Sequence, residues 1–270
     1  MALCTNDVCN GNMQTWRTHL GGVMRLLAGF LDSQGTVRIS DPYIQCLVKW
    51  FTTMDVLAGL SGLNTGDILD PEKGLLSRII DHDSVYVDNI CGYSLKLAPL
   101  LAKLSHLVQR QSQCGLELRD LMKESRSLED DILSLVDCRV AYIGDHIELQ
   151  HTHLAFGYSA LLHLHRRVQM LPIDHELVKS DIKNLVHAVE QIPPFSSTNI
   201  LILWPMFSAG CETNDDKERD FIHKRMGDMQ NIGMGNFTRA RELLSKYWAS
   251  NSLLSWDSYF AGLGLELVLF

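Results

Sequence analysis

Asp41-Pro42-Tyr43-Ile44-Gln45-Cys46-Leu47-Val48-Lys49-Trp50-Phe51-Thr52-Thr53-Met54-Asp55-Val56-Leu57-Ala58-Gly59-Leu60 is the stretch on which the fold class turns. Asp41 suits a helix N-cap, because its carboxylate can accept from the first free backbone N–H groups. Pro42 suits the first helical position, where no N–H is needed. Behind them Ile44, Leu47, Val48, Phe51, Met54, Leu57 and Leu60 recur at three- and four-residue steps, the spacing of one helix face.

The same period extends in both directions. Upstream, Met13 to Leu31 reads as a helix through Trp16, Leu20, Val23, Leu27 and Phe30 or Leu31, ended by Ser33-Gln34-Gly35. Downstream, Asp70-Pro71-Glu72 opens a short helix by the cap rule. A long helix is predicted over residues 84 to 113, with a kink or break near Pro99. Another follows Gly115, with Leu118, Leu121, Met122 and Leu128 on one side. A very long one is predicted from Asp137 to Met170, stopped by Pro172. Asp174 is expected to cap the next, which runs through Ile182, Leu185, Val186 and Val189 to Pro193-Pro194. Ser196 to Gly210 is apolar almost all round, so it should be central and buried. Asp215 to Met229, Asn236 to Ala249 and an apolar tail complete the set, the tail packing as an irregular or helical end. Hairpin signals, strand alternation and clean repeats are missing. The fold class expected is all-α: a single domain, 1–270, of packed antiparallel helix pairs.

Composition agrees. The 270 residues are 46% hydrophobic and 21% charged, as in a globular chain with room for a large core. The net charge of -8 repels phosphate, so this chain is a poor non-specific nucleic-acid binder. The densest basic groups, Arg166-Arg167 and Lys224-Arg225, read as solvated helix faces. Seven scattered cysteines without a C-x-x-C read as reduced thiols in a nuclear or cytosolic setting. No signal peptide is apparent, and no apolar run reaches membrane-spanning length.

A search for chemistry finds no catalytic constellation. His151-x-His153 and His163-x-His165 are spaced by two, so on a helix neither pair chelates from one face. His146 and His153 would share a face, but a metal needs three or four converging donors, and no metal or cofactor is expected. His175-Glu176 starts H-E-x-x-H, but Lys179 holds the second histidine's place. Gly157-Tyr158-Ser159-Ala160-Leu161 lacks the closing glycine and the preceding strand of a hydrolase elbow. Asp130-Asp131 and Asp215-Asp216 read as helix-start carboxylates that compensate the dipole.

Several segments resemble one known family. They are Trp16-x2-His19-Leu20-Gly21-Gly22-Val23, Trp50-Phe51 with Asp55-Val56-Leu57-Ala58, and Leu203-Trp204-Pro205-Met206-Phe207-Ser208-Ala209-Gly210-Cys211-Glu212. Arg219, Ile222, Asn236-Phe237-x2-Ala240 and Tyr247-Trp248 follow, and Ala160 to Val168 is also similar. In this order they resemble the fungal-specific transcription factor domain of the second type, the regulatory region of fungal binuclear zinc-cluster regulators. The resemblance implies transcription regulation in a fungal nucleus, by a domain with regulatory, dimerising or effector-sensing roles. The family's zinc cluster needs six cysteines in two C-x2-C-x6-C runs, and Cys4-x4-Cys9 is the one close pair. The chain also starts almost on the first family segment, so it is expected to be N-terminally truncated relative to the family. Uncovered apolar surface and a protein partner or homo-oligomer are then expected.

The motif residues read structurally. Trp16, Trp50, Trp204 and Trp248 are expected core anchors, and Gly21-Gly22 a close helix approach. Pro205 should bend its helix and Gly210 should end it. Asp55 is expected to be buried and paired, with Arg25 or Arg219 as partner, and His19 to be a satisfied core or boundary histidine rather than a ligand. The competing reading is a small-molecule binder or enzyme of secondary metabolism on the same scaffold. It predicts a closed polar cavity lined by several of His151, His153, His163 and His165.

Overall fold

A computed structural model describes residues 5–7, 16–34, 41–62, 86–113, 118–138, 141–142, 146–230, 235–265 and 267–270. The expected helix at Asp70-Pro71-Glu72 lies outside these residues, as do Cys4, Cys9 and Asp145. The fold is all-α. The α1 helix spans Trp16–Gln34 and α2 spans Pro42–Leu60. Asp41 caps α2 as read: its Oδ1 accepts from Tyr43 N at 2.8 Å and Ile44 N at 3.1 Å.

The predicted helix over 84–113 is corrected in its first half. Tyr86–Val87 forms a two-residue strand β1, and helix α3 begins only at Leu97 and runs to Gln113. Pro99 falls in the first turn of α3, where its missing N–H costs nothing. Asp88 holds the turn before it. Its Oδ1 accepts from Ile90 N and Cys91 N, and its Oδ2 from Lys49 Nζ at 2.7 Å, which ties the turn to α2. Gly92 completes the turn at φ +77°, a conformation a side chain would strain.

Helix α4 covers Leu118–Val136 and turns Leu121, Ser125, Leu128, Ile132 and Val136 inward. Leu118, read as part of that face, is exposed at the first turn. Asp130-Asp131 sit mid-helix and exposed, not at a helix start. The expected helix from Asp137 to Met170 begins late. Ala141–Tyr142 is strand β2, paired parallel with β1, and helix α5 runs Glu148–His163. It continues as a π-helical turn, Leu164–Val168, where Gln169 N bonds back to Leu164 O and Leu171 N to His165 O. Pro172 then stops it. Helix α6 is Glu176–Glu190, and its cap is His175, whose Nδ1 accepts from Leu177 N, not Asp174.

A 3-10 turn, Ser197–Leu201, leads into α7, Leu203–Glu212, every residue of which is buried. Helices α8 (Asp216–Gln230), α9 (Gly235–Ser250) and α10 (Trp256–Gly262) follow. Asp215 starts α8, its Oδ1 accepting from Lys217 N and Glu218 N. Leu267 to Leu269 are buried in an irregular tail. Helices adjacent in sequence pack on each other from α1 to α9, and α5 also packs on α7. One core cluster takes residues from Val56 to Leu269. A second unites α1 and α2 with Val268 around Trp16 and Phe51.

Candidate functional site

The polar interior lies where the π-helical turn meets α4, α6, α7 and α10. Widening the helix there swings successive side chains inward on different sides. The His165 ring lies between two carboxylates: Nδ1 is 2.6 Å from Asp181 Oδ2, and Nε2 is 3.3 Å from Glu129 Oε1. Gln169 also donates to Glu129 Oε2 at 2.8 Å and to Ser125 Oγ at 3.1 Å. Arg166 Nε donates to Glu212 Oε2 at 2.6 Å, and its Nη1 to the Leu171 carbonyl. Arg167 Nη2 lies 2.8 Å from Asp257 Oδ2, with the guanidinium over the Trp256 ring. Its Nη1 also donates to the Leu60 carbonyl at 3.0 Å, binding the end of α2. The reading of Arg166-Arg167 as a solvated face is therefore wrong. An arginine beside a buried acid inside an apolar core leaves water for a charged hydrogen bond. Arg225 is buried too, donating to the Ile192 carbonyl and Asn199 Oδ1, so that second basic pair is also half internal.

Electrostatics follow from burial and partners. Burial pulls the His165 imidazole down, but the hydrogen bond and charge of Asp181, helped by Glu129, outweigh it and hold its pKa above the usual range. Burial raises the Asp181 carboxyl despite His165. Burial, with the nearby Arg167 charge, drives His163 well below the usual range, so it is neutral. Burial likewise lowers His153. For Asp257, burial is outweighed by Arg167, and its carboxyl is held low.

The histidines do not converge. His153 Nδ1 accepts from Ser94 N, and Nε2 faces the Leu135 carbonyl, each at 3.3 Å. His163 bonds Ser208 Oγ at 2.8 Å and stacks on Trp204 at 4.9 Å. His146 is exposed and His151 half-buried. Among the described residues, no three His, Cys, Asp or Glu side chains gather as a metal site. Among the described residues, His153, His163 and His165 each have their own separate partners and do not line one polar cavity together. A cavity of about 300 Å³ lies instead between α2 and the core, walled by Trp50, Met54, Leu57, Phe156, Leu201 and Phe270.

A family model described as the fungal specific transcription factor domain matches residues 1–270. The chain belongs to that family. No curated protein and no solved structure matched it.

Within this fungal transcription factor domain, the two blocks that carried the resemblance meet face to face. Residues 160–168 supply His163, His165, Arg166 and Arg167. The block from Leu203 to Glu212 supplies Trp204, Ser208 and Glu212 against them. Trp16 and Trp204 are fully buried, whereas Trp50 and Trp248 are only half-buried. Trp248 Nε1 donates to the Gly210 carbonyl at 2.8 Å. Gly210 lies inside α7, which continues to Glu212, so it does not end the helix. A Cβ there would meet Leu244 Cδ2 at 2.6 Å. Pro205 is the third residue of α7 and removes no intrahelical bond, so it starts the helix rather than bending it.

At Gly21 and Gly22 a Cβ would meet nothing within 4 Å among the described residues, so no close helix approach requires them. His19 is half-buried, with Nε2 3.4 Å from Asp7 Oδ2. Asp55 is half-buried on α2. Of the partners guessed for it, Arg25 donates to the Gly21 carbonyl, and Arg219 to Thr213 O and Asn214 Oδ1. Sequence reasoning missed Asp181, Ser208, Trp256 and Asp257. A signal was available: Arg166-Arg167 follows a run from Leu154 to Leu164 with no solvated face to continue.

Proposed function

We propose that the chain is a regulatory and interaction domain of a fungal transcription regulator, acting in the nucleus without reading DNA itself. The observation that carries this reading is the family match along the whole chain. The charge distribution supports the second half. The net charge is -8, and Arg166, Arg167 and Arg225 are committed to internal partners rather than to a phosphate-binding face. Leu253, Leu254 and Leu263 flank α10 with more than half of their surface exposed, apolar area that a protein partner or second copy would cover. Among the described residues, no helix is long and apolar enough to cross a membrane.

Two measurements test the reading. Deleting the gene should change a defined set of transcripts, and a tagged chain should concentrate in nuclei. The isolated chain should show no saturable rise in anisotropy of a labelled DNA duplex at low salt, up to about 10 µM, where a non-specific binder already responds. An unchanged transcriptome would overturn the regulatory role. Salt-sensitive DNA binding would overturn the claim that the chain reads no DNA.

A further inference from the structure

We propose that the cavity between α2 and the core is a binding site for a neutral, mostly apolar small molecule of about two rings, carrying one hydrogen-bonding group. This deepens the regulatory reading and rests on it for its biological meaning.

The chemistry of the walls defines the ligand. Trp50 and Met54 of α2 and Phe156 of α5 line a space of about 300 Å³. An apolar cavity of roughly half that size already takes up benzene, so this one has room for a bicyclic molecule. Among the described residues no Asp, Glu, Lys or Arg lines it, and an ionised ligand would lose hydration there without a partner. The Thr53 hydroxyl donates to the Lys49 carbonyl and accepts from Tyr93, so it has little to offer a guest. The Cys91 thiol is buried, and that burial raises its pKa, so it is no nucleophile. Asn89 stands exposed on the lining, and among the described residues its carboxamide has no partner. It offers both a donor and an acceptor to the one polar end of a ligand.

The location gives the ligand a consequence. Trp50 and Met54 belong to the α1–α2 cluster, Leu57, Cys91 and Phe156 belong to the main core, and Phe270 packs against both. The cavity is the seam between these two clusters. A guest in it adds contacts to both, so binding favours the arrangement with the α1–α2 pair docked. Site and readout are thereby joined: occupancy of an apolar seam sets how firmly one helix pair is held.

The test uses the full chain and the neutral two-ring probe 6-propionyl-2-(dimethylamino)naphthalene, whose carbonyl is its one strong hydrogen-bonding group. Its fluorescence should rise saturably at one equivalent, with micromolar affinity. At about a hundred times Kd, Tm should rise by about 5 °C, and amide exchange in α1 and α2 should slow. Ile200, half exposed on the cavity wall, is replaced by Trp to fill the space. Ile200→Trp should weaken probe binding at least tenfold with Tm held or raised. Ile90→Trp fills from another wall and serves if the first variant does not fold. Non-saturating fluorescence, or unchanged affinity in a folded filled variant, overturns the site. Those failures leave the transcript test untouched. Conversely, unchanged transcripts with intact probe binding would overturn the regulatory reading and leave the site standing.

Discussion

A methyl group on Gly210 would lie 2.6 Å from Leu244 Cδ2 and 3.3 Å from Ile222 Cγ2, both on fully buried side chains. On Gly21 or Gly22 the same group would meet no atom within 4 Å among the described residues. Spacing alone does not separate these glycines, since all three lie inside helices and family segments. Packing separates them, and it gives opposite signs. Gly210→Ala should cost about 1–3 kcal/mol, because Leu244 must leave its rotamer in a filled core. Gly21→Ala and Gly22→Ala should each stabilise by about 0.5–1 kcal/mol, the ordinary gain of alanine over glycine in a helix. Urea titration of the three variants checks this, and a stabilised Gly210→Ala would refute the close approach of α7 and α9.

The helix elements show which contacts bind the fold across long sequence distances. Arg167 alone joins the π-helical turn, the end of α2 at Leu60 and the start of α10 at Asp257. Arg167→Met should cost about 3–5 kcal/mol, since it leaves a buried carboxylate without its counter-charge. Adding Asp257→Leu should restore a good part of that loss, a coupling of roughly 2 kcal/mol or more in a double-mutant cycle. Additive costs would show that the pair acts independently. These elements also mark how far sequence could be read. The cap at Asp41 and the helix start at Asp215 were legible because each signal spans only three residues of backbone. The all-α class was legible because period 3.6 fills the chain. The late start of α3 was not, since the Asp88 turn depends on Lys49, distant in sequence. Nor was the polar interior, because the sequence spacing of Arg166 and Glu212 carries no period to read. The cavity wall drew on helix positions that look like ordinary core.

At the scale of the whole molecule, buried histidines of opposite character make stability depend on pH from both sides. His163 is kept neutral by burial and by Arg167, and His153 by burial. Both have pKa values below that of an unfolded histidine, about 6.5. As pH falls through that value the unfolded chain takes up protons that the native chain refuses, so stability is lost toward acid. Each such proton steepens the fall by about 1.4 kcal/mol per pH unit. His165 has the opposite sign. Its pKa is raised by Asp181 and Glu129, so the native chain holds a proton that the unfolded chain releases above about 6.5. Its contribution is complete below that pH and is lost as pH rises through the folded value, leaving Asp181 buried opposite a neutral ring. Stability by urea titration should therefore peak near neutral pH and decline on both sides between pH 5 and 9. His163→Gln, which can still bond Ser208, should make the acid side shallower and leave the alkaline side alone. His165→Gln should flatten the alkaline side. A profile in which His165→Gln declines as steeply above pH 7 as the parent would remove the carboxylate-bracketed imidazolium from the account of this fold.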